Sequence, residues 1–517
     1  MVNLNNSRRN RTDLVAGTLE LKQVISELFE AYLLSRNHQG LRGLSDVQKD
    51  VSHRHLEMIL CDLFAAWEGD PEKFIGYSRG KSNFVRGGSY WNSRLGVAFP
   101  ARDTFVNLIV FLEEQGFLEN HLAPQGGEGL SSRMRATASL VRMFCERQIT
   151  WVHFIQGRET ENIVVKDESK SLIPLDAAEG REGINLEQAE ENLRFINGNL
   201  GRTFINLNVT DRGLAELSAR TTGNDLDGND FREPFEPSNR FLRRIFALGS
   251  FEFGGRFYGG WWQGIPSDMR KFIEIDGAVT REYDYSSMQP TLMYAQMGMP
   301  APEDAYSLPG WPAEIRPLAK KAFNQLVNSD DSSRNPNQWH RFAPSILPDP
   351  LPRNWSEQNI GQKAQAQRAA FEVRYGRPYG DLFHDLMEFH APIEPFFFSR
   401  SWGVFQRQDS DIAEQVMLRM LNGERSVTIL PIHDSFIVRR GEEETLDRTM
   451  REVFEEVTGM RCNLKFEEAV YDRPEGNDGI HIVMADDLHE PAMRSIIEQT
   501  MYHRRWKEWE DVIGPLD

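Results

Sequence analysis

The chain has 517 residues, 40% of them hydrophobic and 11% aromatic, and a net charge of −18. That is ample apolar material for roughly two to four cored domains, and the acidic balance excludes a generally basic nucleic-acid coat while leaving room for a local basic channel. Non-specific adhesion to nucleic acid should be weak, so a processive activity would need a well-formed groove or an accessory replication protein. No stretch approaches the roughly 18 consecutive apolar residues of a membrane span. The polar start from Met1 to Arg11 has no apolar centre and does not read as a signal peptide. Cys61, Cys145 and Cys462 lie far apart without zinc spacing, as reduced thiols of a cytoplasmic protein would.

In chain order, residues 1–50 read as a polar, basic start followed by a packing helix over 19–34. Residues 51–160 carry a helix over 55–64, then a basic, Gly-rich loop. There Arg79, Lys81, Arg86 and Arg94 alternate with Tyr77, Phe84, Tyr90 and Trp91. A helix over 101–116 follows, with Phe105, Leu108, Ile109 and Leu112 on one face and Gly116 as its stop. A strand at 117–119, a Gly-rich wing at 124–129 and a returning strand at 133–137 complete an order that resembles a winged-helix module. The basic aromatic loop suits phosphate contact and base stacking, with Arg79, Lys81 and Arg86 as the candidates; the plain alternative is a helical subdomain with a surface hairpin. Residues 161–235 are polar and acidic and read as a linker or thumb-like region, with a helix over 187–198 and a breaker-rich loop at 221–230 whose acidic residues lack EF-hand spacing. The end, 481–517, reads as a helical tail after the turn-rich 472–479.

The chemistry gathers in two stretches. In Arg281-Glu282-Tyr283-Asp284-Tyr285-Ser286-Ser287-Met288-Gln289-Pro290, a strand carries Asp284 to its end and a helix starts near Pro290. A strand and Gly turn at 272–277 precede it. About 150 residues on, the apolar run 429–438 is interrupted by His433-Asp434 and reads as a hairpin with a carboxylate at its tip. Two carboxylates on neighbouring strands can clamp two divalent cations ~3.5–4 Å apart, the arrangement used for in-line phosphoryl displacement. Upstream, paired glycines around Arg256 would let backbone approach a ligand. Between the aspartates, Pro317 suits a first helical turn, and Arg316, Lys320, Asn324 and Asn328 recur every fourth residue, along one helical face. Two cations there can bind a triphosphate, with the amides further along at sugar and base. Each piece alone also has a plain reading: a capping Asp, a strand edge, a solvated cationic stripe. Asp409 and Ser410 read as caps of a helix over 412–421.

Together and in this order, the segments resemble the family A DNA polymerases and the related single-subunit phage-type RNA polymerases. The resemblance spans roughly residues 240–470. Gly255-Arg256 followed by Gln263-Gly264-Ile265-Pro266 resembles the family's Gly-Arg and Gln-Asn-Ile-Pro segment, which contacts primer–template. Asp284-Tyr285-Ser286-Ser287-Met288-Gln289 is similar to motif A, Arg316 and Lys320 to the cations of the fingers helix (motif B), and His433-Asp434-Ser435-Phe436 to motif C in the form common among the RNA enzymes. The resemblance implies an α+β right-hand polymerase, with an antiparallel-sheet palm at 236–310 and 401–480 and helical fingers at 311–400. It implies two Mg²⁺ ions, or Mn²⁺, on Asp284, Asp434 and the Tyr285 carbonyl, with Lys320 and Arg316 on the leaving group. It further implies Gln289, Asn324 and Asn328 at the nucleotide, and Arg256, Gln263 and His433 on the primer or template.

The departures are specific. The Tyr and Gly of motif B are Asn328 and Ser329 here, and Asn324 stands at the aromatic or apolar middle position. The sugar-facing Glu of motif A is Gln289, whose similar bulk favours deoxynucleotides, whereas Ser435 leans toward the RNA enzymes. The expectation is a DNA-directed DNA polymerase of a phage, plasmid or mobile element, acting on DNA template and primer with dNTPs. The alternatives are an RNA polymerase or primase using NTPs on the same palm, and a replication-initiator-like DNA-binding protein with a degenerate palm.

Overall fold

The computed structural model describes residues 3–124, 131–220, 223–224, 230–231, 235–334, 344, 360–467 and 500–514. Helices and several sheets alternate along the chain around two hydrophobic cores.

The first core is built on the helices Leu19–His38 and Asp46–Gly69. The second of these starts at a capping box: the Gln48 N–H donates to the Ser45 hydroxyl, and the Gln48 side chain accepts from the Ser45 N–H. The helix Arg102–Glu114 buries Phe105, Leu108, Ile109 and Leu112, the face its periodicity predicts, and the chain turns at Gly116 with φ +72°. A four-stranded sheet lies beside these helices, in the order Ser7–Arg9, Phe74–Tyr77, Ser132–Ala136, Leu118–His121. The polar start thus contributes a strand, correcting the reading of 1–50 as helix alone. A second short strand, Leu14–Ala16, pairs with Phe154–Gln156. Charge holds this arm in place: Arg8 meets Asp62 at 2.6 Å and Glu236 at 3.2 Å, and Arg11 meets Glu236 at 2.6 Å and Asp13 at 2.9 Å. The expected wing lies mostly in 125–130, outside the described residues.

The stretch 161–235 is not a linker. Its helix Leu186–Arg202 sinks Ala189, Leu193, Ile196 and Leu200 into the second core, and its strand Ile163–Lys166 runs parallel to Arg243–Ala247. The breaker-rich segment contributes a short antiparallel pair, Gly223–Asn224 with Asp230–Phe231; 225–229 lie outside the described residues.

The second core is centred on a six-stranded antiparallel sheet. Ile205–Leu207, Ile273–Ile275, Ala278–Tyr285, Ser435–Arg439 and Leu430–Ile432 follow one another, and Leu464–Glu467 also pairs with Ala278–Tyr285. The helix expected over 412–421 begins at Trp402 and runs to Asn422. Asp409 and Ser410 are therefore buried inside it, not caps at its start. They face the strand Ser250–Tyr258, where Gly255 (φ +79°) lets the helix come close. A Cβ on Gly255 would lie 2.8 Å from Phe246 and 3.0 Å from the Ser410 hydroxyl.

The helix Met501–Val512 closes the described chain. It delivers Trp509 to the first core, stacked on Trp151 at 5.8 Å and tilted on Phe204 at 5.7 Å. The turn-rich 472–479 lies outside the described residues. Among the described residues, no helix is long and apolar enough to cross a membrane.

Candidate active site

The central strand Ala278–Tyr285 alternates, as strands do, between core and opposite face. Tyr285 points inward, and its hydroxyl donates to the Met450 carbonyl at 2.8 Å. That leaves Asp284 on the other face, at the strand's last turn of the pleat. The neighbouring hairpin joins Leu430–Ile432 to Ser435–Arg439 through His433 and Asp434, with His433 at φ +60°. Register places Asp284 directly opposite Ser435, and the Tyr285 N–H donates to the Asp434 carbonyl at 3.3 Å. The two aspartates, remote in sequence, thus come together at the end of two paired strands.

The surroundings of Asp284 raise its proton affinity. Burial, then the Asp434 charge, push the Asp284 carboxyl up to about 7; Lys320 opposes the shift and Glu282 adds to it. Glu282 went unnoticed in sequence. It stands two residues before Asp284, hence on the same face, and accepts hydrogen bonds from the Ser435 hydroxyl at 2.8 Å and from Arg270 at 3.1 Å. Ser435 is therefore occupied by a carboxylate. Lys465 pairs across from Asp284 on the other side.

The cationic helix, Arg316–Asn328, has Pro in its first turn and buries Leu318, Ala319, Ala322, Phe323, Leu326 and Val327. The opposite side presents Arg316 and Lys320, both exposed, then Asn324, half-buried, and Asn328, exposed. Arg316 is held by Asp304 at 2.7 Å. A cleft of about 520 Å³ opens here, lined by Ser286, Ser287, Asp304, Ser307 and Arg316 among others. Gln289 is half-buried in the first turn of the helix Met288–Gln296.

Of the residues expected on primer or template, Arg256 and His433 lie beside Asp434, and Gln263 and Arg86 are engaged within the protein. Arg256 grips Asp409 through Nε at 3.0 Å and through Nη2. Burial pushes the Asp409 carboxyl up to about 7; Arg256 opposes that shift, and Asp434 adds to it. His433 packs edge-on against Tyr258 at 5.4 Å, and burial and Arg256 hold its imidazole below the ordinary value. Gln263 is a stitch: its amide donates to the Phe257 and Pro431 carbonyls at 3.0 Å each and accepts from the Gly259 N–H. Its side chain is thus bonded within the fold.

The basic aromatic loop also departs from expectation. Tyr77 and Tyr90 are buried, and Phe84 stacks on Tyr90 at 4.6 Å, so these rings pack against the protein and are not a platform for bases. Arg86 pairs with Asp176 at 2.7 Å. Lys81 is exposed and Arg79 half-buried.

No protein-family model matches the chain, and no curated protein matches it. Among solved structures, the chain is similar to the POL domain of Pol1 from M. smegmatis, a complex with DNA primer-template and dNTP. Identity is 14% over 44% of this chain and 47% of that one, with a TM-score of 0.24. The chain spans about half the length of that domain, and a likeness of this size carries no weight for fold or function.

Among the described residues, no group of three or more His, Cys, Asp or Glu side chains is placed to hold a metal ion. The donor set nevertheless suits hard divalent cations: Asp284 and Asp434 offer two carboxylates from neighbouring backbone positions. Oxygen donors of this kind suit Mg²⁺ or Mn²⁺ better than zinc.

Proposed function

We propose that the chain is a template-directed nucleotidyltransferase of the right-hand type, with the six-stranded sheet as palm and the segment 311–400 as fingers. One observation supports this above the rest: Asp284 at a strand end and Asp434 in the turn that opens the adjacent strand come together, with Lys320 within electrostatic reach.

Asp284 and Asp434, with the Tyr285 carbonyl, would hold two Mg²⁺ ions, with Mn²⁺ as a substitute; such a pair supplies acidification of the primer 3′-hydroxyl and neutralises charge on the departing pyrophosphate. The new bond joins the primer 3′-oxygen to the α-phosphorus, and the bond from that phosphorus to the bridging β-phosphate oxygen breaks. Lys320 donates a proton or charge to the leaving group, and Arg316 exchanges Asp304 for a phosphate oxygen. Arg256 and His433 line the primer end. Gln289 crowds the sugar, which favours deoxynucleotides, and Asn324 and Asn328 lie along the helix toward the base. DNA is the proposed template, with the exposed Lys81 as one contact to its phosphates.

The test is incorporation on a defined template, with and without primer, using each sugar type. Expected is Mg²⁺-dependent primer extension with dNTPs, abolished in Asp284→Ala and Asp434→Ala with the fold retained. Activity in either variant overturns the assignment, and equal use of both sugars overturns the role of Gln289.

A further inference from the structure

Between the helix Met288–Gln296 and the cationic helix, the chain passes Asp304 and Tyr306 without regular structure. Tyr306 is only 4% exposed, although its neighbours line the open cleft. Its ring lies beneath both cations: the Arg316 guanidinium carbon is 5.6 Å from the ring centroid and the Lys320 Nζ 5.9 Å. The ring is backed edge-on by Phe323 of the same cationic helix, at 5.8 Å. Asp304 fixes both partners at once. It accepts the Tyr306 N–H at 3.0 Å through one oxygen and Arg316 at 2.7 Å through the other. Burial, and after it the Asp434 charge, holds the Tyr306 phenol above its ordinary range.

We infer that Tyr306 is the positioning residue that holds Arg316 and Lys320 beside the two aspartates, and through them sets the affinity for the triphosphate of the incoming nucleotide. The inference rests on the nucleotidyltransferase reading. Long cationic side chains on an exposed helix face are free to swing, and a ring shared by two of them limits that freedom through its negative face.

The experiment is steady-state primer extension with wild type, Tyr306→Phe and Tyr306→Leu, reading KM for the dNTP and kcat separately. Tyr306→Leu should raise KM roughly tenfold, as two cation–π contacts at the weak end of their range imply, with kcat within about threefold. Tyr306→Phe, which keeps the ring, should restore KM to within about threefold of wild type. A purely structural role would instead lower kcat and melting temperature without this split, and would overturn the assignment. Should Tyr306→Leu not fold, a polyfluorinated phenylalanine at 306 removes the ring's negative face at nearly unchanged shape and must give the same rise in KM; no rise overturns the inference. A wild type that incorporates neither sugar overturns the functional reading and this inference together. An active wild type with KM unmoved in the variants overturns this inference alone.

Discussion

Asp284→Asn should make the ligand-free protein more stable while removing its activity. In the native state the Asp284 carboxyl is pushed from 3.8 to about 7 by burial and by Asp434. At about 1.4 kcal/mol per tenfold change in proton affinity, that is about 4 kcal/mol of destabilisation once the group is ionised, or about 2 kcal/mol after allowing for its solvent-facing side. The sign follows from proton counts. Between pH 3.8 and about 7 the native state retains a proton that the unfolded chain has released, so wild-type stability falls as pH rises through that window and is level above it. The gain from Asn should therefore be near zero at pH 4, grow to pH 7 and remain constant at pH 8. The assay is thermal melting in EDTA across that range, where a gain of 2–4 kcal/mol corresponds to about 2–4 °C, at roughly 1 °C per kcal/mol for a cooperative unit of about 500 residues. Mg²⁺ should then narrow the gap by stabilising the wild type selectively. A variant that is no more stable at pH 8, or a gap that does not vary with pH, would refute the picture of two carboxylates held together against their repulsion.

Other outcomes can be checked independently. Asp409→Leu strands the Arg256 charge and should cost roughly 3–5 kcal/mol in urea unfolding, whereas the double change with Arg256→Met should come within about 1 kcal/mol of wild type; equal losses in the two would rule out a buried pair. His390 is fully buried between the Tyr294 hydroxyl and the Ala305 carbonyl, and burial lowers its imidazole to about 4. Because the unfolded chain takes up a proton below 6.5 that the native state refuses until about 4, wild type should lose about 3 kcal/mol across that interval. In His390→Gln the acid-side fall in melting temperature should be correspondingly shallower. Gly259→Ala should destabilise by more than about 2 kcal/mol, since φ there is +124° and the new Cβ would sit 2.4 Å from the Phe241 carbonyl oxygen; a soluble variant with unchanged melting would contradict that contact.

What could be read in the sequence was local. The turn at His433-Asp434 is flanked by apolar strands that can only form a hairpin, and the Phe105–Leu112 face repeats with helical period, so both stand where expected. Arg316 and Lys320 share a helix face for the same reason. What escaped depends on partners distant in the chain. Glu282 gains its place from Ser435 and Arg270, and Asp409 turns from apparent cap to partner of Arg256 only because its helix packs on the strand Ser250–Tyr258. Tyr306 sits in a stretch with no period at all. The aromatic loop misled because interleaved rings and cations look alike whether the rings face solvent or, like Tyr77 and Tyr90, the core. Three-residue strands such as Ser7–Arg9 are too short to leave a pattern, and theirs is an ionic attachment.

That attachment has a consequence for dissection. Arg8 and Arg11 reach from the first core to Glu236, while Trp509 returns from the far side of the second core to lie on Trp151. The two halves are laced at both margins, so cutting the polypeptide near 160 to study either alone would strand guanidinium groups and bare an indole-lined hollow. Heating should dismantle both together in a single event, and a proteolytic nick between them should leave the fragments associated.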